Sequence, residues 1–181
     1  MKIDRVIFRE YDIRGIVDKQ INNDFAIIVG KAFGSYIRKS GLKSVIVACD
    51  NRKSSPELKK HFIDGLSNCG CSVLDAQMIP TPFAYFAQRK NGIDACAVIT
   101  ASHNPPEFNG FKLVVGTHAL YGKEIQKIAD IIENEDFEYG KGEVKEIQVD
   151  DDYVNFMKER FNFKRKMRVG VDTGNGIAGP F

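Results

Sequence analysis

Ser44-Val45-Ile46-Val47-Ala48-Cys49 is an apolar run in which no polar residue alternates with the apolar ones. A strand with one wet face alternates, so a run that is apolar at nearly every place belongs to a strand covered on both sides. Residues 94–100 form a second such run, and residues 71–75 read as another strand. Between them lie stretches with helical spacing, and this strand–helix alternation predicts an α/β fold. The expected architecture is a three-layer domain, with a mostly parallel, mixed sheet between helices.

The helices announce themselves by their starts. Asn22-Asn23-Asp24 precedes Phe25, Ile28, Val29, Ala32, Phe33, Tyr36 and Ile37 at helical spacing, and Gly41 closes that helix. Ser54-Ser55-Pro56-Glu57 combines a serine cap, an early proline and a first-turn glutamate, with Leu58, Phe62 and Leu66 forming the apolar face. Pro80-Thr81-Pro82 starts a third helix by the same logic, with Phe83, Phe86 and Ala87 inward. Residues 122–134 carry Ile125, Ile128, Ala129, Ile131 and Ile132 on one side.

Other segments are shorter or more polar. Val6-Ile7-Phe8 reads as a short opening strand, and the glycine of Arg14-Gly15 suggests that Arg14 lies on a loop. Asn109-Gly110 is a turn signal before a strand over 111–115, which places Phe111 and Leu113 on one face and Lys112 on the other. Residues 135–152 are charged and suit a surface connection with one edge strand. A helix over 151–163 presents Tyr153, Phe156, Met157 and Phe161, and 168–172 reads as a strand leading into the glycine-rich turn Thr173-Gly174-Asn175-Gly176. The expected division is a domain over 1–150, followed by a linker helix and the truncated start of a second α/β domain over 151–181.

The 26 basic residues nearly cancel the 24 acidic ones, leaving a net charge of +2 that gives no reason to expect nucleic acid or an anionic membrane as partner. Neither a signal-peptide region nor an apolar run of membrane-spanning length is present, so the expectation is a cytoplasmic protein. Cys49, Cys69, Cys71 and Cys96 lack the spacing of a zinc or redox motif, and a role as small apolar fillers suits them better.

In open α/β sheets ligands collect beyond the carboxyl ends of the strands. Three polar clusters are expected there: Arg14, the stretch Asp50-Asn51-Arg52-Lys53, and the loop Thr100-Ala101-Ser102-His103-Asn104-Pro105-Pro106. Ser102 is a weak nucleophile unless a base activates it or it is already modified, and the glycine-flanked serine of hydrolases is absent. A phosphoserine meets the need differently: it carries about −1.5 to −2 charge and requires cationic neighbours and a divalent ion to pass its phosphoryl group on. Arg14, His103 and Lys112 are candidate cations, while Arg9 and Arg52 remain open between structural and functional roles.

The loop Thr-Ala-Ser-His-Asn-Pro at 100–105, with Asn-Gly-Phe-Lys at 109–112 and Phe-Arg-Glu-Tyr-Asp-Ile-Arg-Gly at 8–15, resembles the α-D-phosphohexomutases, most closely their phosphomannomutase/phosphoglucomutase group. Val171-Asp172-Thr173-Gly174-Asn175-Gly176 is similar to the opening of that family's second domain. The resemblance implies that Ser102 is a phosphoserine exchanging its phosphoryl group with the 1- and 6-positions of a hexose phosphate, through a bisphosphorylated intermediate. It implies Mg2+ held partly by the phosphoserine oxygen, and hexose 1,6-bisphosphate as activator. Lys112 would be the general acid/base, which calls for nearby cations to weaken its hold on a proton. Arg14 and His103 would stabilise the transferring group, and Tyr11 and Arg14 would contact the sugar phosphate. The glycine-threonine-aspartate start of glucosamine-phosphate members is missing, which points to mannose and glucose phosphates.

The family's aspartate-glycine metal loop, its sugar-recognition loop and its distal phosphate loop belong to later domains and are not in these residues. The expectation is therefore a chain that turns over little substrate alone. The alternative is a noncatalytic module of the same family that binds phosphosugar or another protein, with self-association or docking of further domains through 151–181.

Overall fold

A computed structural model describes residues 2–181 of the chain. Its frame is set by β2 (Ser44–Cys49), β3 (Ser72–Met78) and β4 (Ala95–Ile99), which run parallel, with β2 between the other two. β5 (Phe108–Val115) returns antiparallel along β4, and β1 (Ile13–Ile16) pairs antiparallel with β5. β7 (Val144–Glu146) lies parallel to β3 at the far edge, as the edge-strand expectation had it, and the short β6 (His118–Ala119) pairs with β5. Seven strands among the described residues thus form one mixed sheet in the order β1-β5-β4-β2-β3-β7, with β6 off that path.

Helices cover both faces, which is why β2 and β4 are apolar at nearly every position. On one face lie α1 (Asn23–Lys39), α2 (Ser55–Ser67) and α4 (Lys123–Glu133), over Val45, Val47, Ala97, Ile99 and Phe111. Phe62 is stacked between Phe33 and Phe111, with ring centroids 6.3 and 5.4 Å away. Each large apolar side chain so buried contributes about 1.5–3 kcal/mol. On the other face α3 (Thr81–Lys90) lays Phe83, Ala84 and Ala87 on Ile46, Ala48, Cys96 and Val98. Helices α1 and α2 approach closely because both contact points are glycines. A Cβ on Gly30 would stand 2.2 Å from the Phe62 carbonyl oxygen, and one on Gly65 2.2 Å from that of Ile27.

Several local readings change. Residues Arg5–Ile7 form a 3-10 turn, started by the Asp4 carboxylate accepting from the Val6 amide, where a strand was expected. Arg14 is inside β1, opposite Gly110, and not on a loop. Asn109-Gly110 is no turn but an interior pair of β5; glycine is needed there because β1 comes too close for a side chain. Ser54 and Thr81 make no side-chain cap on their helices. At the first helix, in contrast, the Asn22 side chain does accept from the Phe25 amide at 2.9 Å, and Gly41 with φ +79° turns the chain away.

Beyond the sheet, α5 (Asp150–Lys158) lies on α3, with the Tyr153 ring 4.0 Å from that of Phe83 and Phe156 4.8 Å from Phe86. Phe86 is accordingly half-buried beneath α5, while Ala84 takes the inward place beside Phe83. Phe161 lies beyond the helix and is exposed. The strand expected over 168–172 does not form: Val169 and Val171 are exposed and no neighbouring strand accepts or donates there. The turn at Thr173–Gly176 does close, from the Gly176 amide to the Thr173 carbonyl at 2.9 Å. No helix among the described residues is long and apolar enough to cross a membrane.

Candidate active site

The loop over 100–107 leaves the carboxyl end of β4 and re-enters the sheet as β5, so both of its ends are pinned by strands. Ser102 stands on it with its side chain exposed and with φ +56°, the left-handed region that costs a non-glycine residue on the order of 1–3 kcal/mol. Thr100 holds this turn: its Oγ1 accepts from the Ser102 amide at 2.9 Å and donates to Asp50 Oδ2 at 2.7 Å. The Ser102 hydroxyl lies 3.3 Å from His103 Nδ1, so serine and imidazole are neighbours in space as well as in sequence.

Arg14 reaches the same loop from β1. Its Nη1 donates to Asn104 Oδ1 at 2.6 Å, and its Nη2 pairs with the Asp12 carboxylate. That carboxylate, in a residue only 4% exposed, also lies 3.5 Å from Lys112 Nζ. Asp12 thus joins Arg14 to Lys112, and Asn104 joins Arg14 to the serine loop. The ionic neighbour of Lys112 is therefore an anion, where the family resemblance implied nearby cations. Lys112 points to the face of β5 opposite Phe111 and Leu113, as alternation required. Tyr11 is exposed in the bend just before Asp12.

Behind the loop stands a second polar group that the sequence left open. Asp50 follows β2 directly, and its Oδ1 accepts from the Arg52 amide at 3.1 Å and from Ser55 Oγ at 2.5 Å. Arg52 donates to the carbonyls of Ser102, Asn104, Pro105 and Phe108, at 2.9, 2.6, 2.7 and 3.1 Å. The buried amide of Asn109 donates to Ser54 Oγ and Ser55 Oγ at 2.8 and 2.9 Å. An aspartate and an arginine two places apart, just after a buried strand, were the available signal. Their place at the strand's carboxyl end put them on the same side of the sheet as the serine loop, but the sequence did not show that Arg52 would bond the loop's carbonyls.

Other chemistry nearby is quiet. Burial pushes the Cys49 thiol, one residue before Asp50, up to about 12, so it stays protonated at neutral pH. Among the described residues no three His, Cys, Asp or Glu side chains come together to hold a metal ion. A cleft of about 510 Å3 opens beside the far half of the loop, lined by Lys53, Ser54, Glu57 and Glu107 among others, but it includes none of Ser102, His103, Arg14 or Lys112.

Comparison with known proteins bears on this geometry. Residues 5–139 match the family model described as phosphoglucomutase/phosphomannomutase, alpha/beta/alpha domain I. The chain is 40% identical over 177 residues to a phosphomannomutase/phosphoglucomutase of Pseudomonas aeruginosa, covering 96% of this chain and 37% of that protein. It is 37% identical over 181 residues to a phosphoglucomutase of Neisseria meningitidis, covering 99% of this chain and 39% of that protein. Among solved structures, a phosphoglucomutase/phosphomannomutase family protein of Burkholderia thailandensis superposes with a TM-score of 0.95 at 42% identity, over 99% of this chain and 41% of that one. The chain thus spans about two-fifths of the length of these relatives.

Proposed function

This chain belongs to the phosphoglucomutase/phosphomannomutase family, and from that premise we propose that it carries a phosphoryl group on Ser102 and exchanges it with the 1- and 6-oxygens of glucose or mannose phosphates. The observation that carries this reading is the continuous polar path from the serine loop through Asn104, Arg14 and Asp12 to Lys112. A loop serine with no catalytic task has no need of a buried carboxylate that holds two cations beside it.

The step is an exchange of one P–O bond for another. The bond from phosphorus to Ser102 Oγ breaks as one forms to a hydroxyl oxygen of the sugar monophosphate, giving the hexose 1,6-bisphosphate and a free serine. Lys112, acting as the free amine once released from its 3.5 Å contact with Asp12, takes the proton of the sugar hydroxyl, and His103 gives its Nδ1 proton to the departing Ser102 Oγ. His103 Nδ1 stands beside that oxygen, where its N–H can meet the negative charge as the bond breaks. Arg14 faces the transferring group from β1, and Tyr11 lines the sugar side. After the bisphosphate turns around, the reverse exchange recharges Ser102, which is why hexose 1,6-bisphosphate acts as activator.

The residues present do not by themselves make a magnesium site, since no carboxylate cluster accompanies Ser102. Mg2+ would be held in part by the phosphoserine oxygen, with its remaining ligands outside residues 1–181, and no step above depends on it. For the same reason the chain alone is expected to transfer once and not to cycle. A cytoplasmic location belongs to the same proposal. Exposed Phe163, Val169 and Val171 favour a second reading, in which the chain binds phosphosugar or another polypeptide without turnover.

The test is a chain made with phosphoserine at 102, mixed with glucose 1-phosphate and followed by 31P NMR. Bisphosphate should form up to one equivalent of chain. Absence of bisphosphate would sink the carrier reading, and many turnovers to glucose 6-phosphate would sink the claim of incompleteness.

A further inference from the structure

We propose that Arg52 is a positioning residue for the phosphoryl-carrying serine, one that holds the Ser102 loop by its carbonyls and does not bind the substrate's phosphate; the proposal rests on the reading of Ser102 given above. An arginine beside a phosphoryl site would ordinarily be assigned to the phosphate, because the guanidinium fork matches phosphate oxygens. Here the fork is already filled. Nη2 donates to the carbonyls of Ser102 and Asn104, and Nη1 to those of Pro105 and Phe108. Nε lies 3.3 Å from Asp50 Oδ2 as an ion-pair contact without a hydrogen bond. All four Nη hydrogens are thus taken and the one remaining N–H, on Nε, is buried, so no donor reaches a ligand unless the loop lets go.

The loop needs such a holder. It contains a residue at φ +56° and two consecutive prolines, which have no amide N–H to donate. Its own amide bonds are few: Ser102 to Thr100 Oγ1, Asn104 to the Ala101 carbonyl and Phe108 to the Pro105 carbonyl. A single guanidinium bridges four carbonyls spread over seven residues of chain, from 102 to 108. It is fixed in turn through Asp50, which also receives the Thr100 hydroxyl. Asp50 and Arg52 therefore act on both ends of the residue that matters, Asp50 through the Ser102 amide by way of Thr100 and Arg52 through the Ser102 carbonyl. Lysine cannot replace this arrangement. It keeps the charge but has one nitrogen, which cannot span the fork.

The experiment compares wild type, Arg52→Lys and Arg52→Ala by amide hydrogen exchange, with thermal unfolding as a check on the whole fold. Loss of the guanidinium contacts should speed exchange at Ser102, Asn104 and Phe108 by at least about tenfold in both variants, while β2 and β4 keep their protection. Added guanidinium ion should restore protection in Arg52→Ala and leave Arg52→Lys unchanged. Wild-type loop protection in Arg52→Lys would overturn the proposal, because charge alone would then suffice. If Arg52→Ala does not fold, Arg52→Lys decides.

Phosphoryl uptake by Ser102 from glucose 1,6-bisphosphate separates this inference from the reading beneath it. Failure of the wild-type chain to take up phosphoryl counts against the carrier reading, while exchange still decides the role of Arg52. Uptake in wild type with the rate constant lowered about tenfold in Arg52→Lys and the half-saturating bisphosphate unchanged supports positioning. An unchanged rate constant with weakened binding would make Arg52 a phosphate ligand and overturn it.

Discussion

A Cβ built on Gly110 would stand 2.2 Å from the carbonyl oxygen of Ile13, inside the pairing of β1 with β5. The opposing atom is backbone, so the strands must part for any side chain to fit. Arg14 sits directly opposite Gly110, and its reach to Asn104 depends on that pairing. Gly110→Ala is expected to cost about 1–3 kcal/mol in urea unfolding, the range for forcing extra volume into a packed site. It should also lower phosphoryl uptake at Ser102 beyond what the stability loss explains.

Ser102 stands in the left-handed region with an exposed hydroxyl that lies 3.3 Å from His103 Nδ1. Ser102→Ala should change stability by less than about 0.5 kcal/mol, since alanine meets the same backbone penalty and no buried bond is lost. Ser102→Gly should raise stability by up to about 1 kcal/mol, because glycine adopts this conformation without strain. Both should abolish phosphoryl uptake, a separation of function from stability that equilibrium unfolding and mass spectrometry can read on the same samples.

Asp12 is buried against two cations, Arg14 and Lys112. Asp12→Asn would turn an acceptor for both into a group that can satisfy one while presenting an N–H to the other. Urea unfolding at neutral pH should show a loss of about 2 kcal/mol, as expected for hydrogen bonds to charged groups. Lys112→Met should cost less, since Arg14 still pairs with the carboxylate.

Much of the frame could be read from the chain because it rests on local rules. Unbroken apolar runs such as 44–49 require cover on both faces, and Asn22 marks a helix start because its side-chain oxygen accepts from the Phe25 amide. The misreadings share a cause, which is that the deciding partner is distant in sequence. Asn109-Gly110 carries the composition of a turn, yet β1 and the serines of α2 put it inside a strand. Val169 and Val171 have strand-like residues but no strand to pair with. At the site, Ser102, His103, Arg14 and Lys112 were legible as a motif, whereas Asp12 as their bridge and Arg52 as the loop's holder come from contacts across 50 to 100 residues of chain.

Asp94 offers a pH test. Burial would raise its carboxyl, but hydrogen bonds from Ser44 Oγ and from the Lys43 and Ser44 amides, with the Lys43 charge, outweigh this and hold it below the ordinary value. A depressed carboxyl stabilises the fold fully above its unfolded value, about 3.9, and loses that contribution as pH falls through its lower folded value. Asp94→Asn should therefore be less stable than wild type by roughly 1 kcal/mol at neutral pH, the scale of a hydrogen bond to a charged group in the open. The difference should shrink as pH drops below about 4. Urea midpoints measured across that range check both the size and the direction.

The central claim, that Ser102 is where the phosphoryl group rides, is tested most directly by incubating the purified chain with glucose 1,6-bisphosphate and magnesium and then sequencing its peptides by mass spectrometry. One added HPO3 unit is expected, located on Ser102 and absent from Ser102→Ala. An unmodified Ser102, or the same uptake in Ser102→Ala, would contradict it.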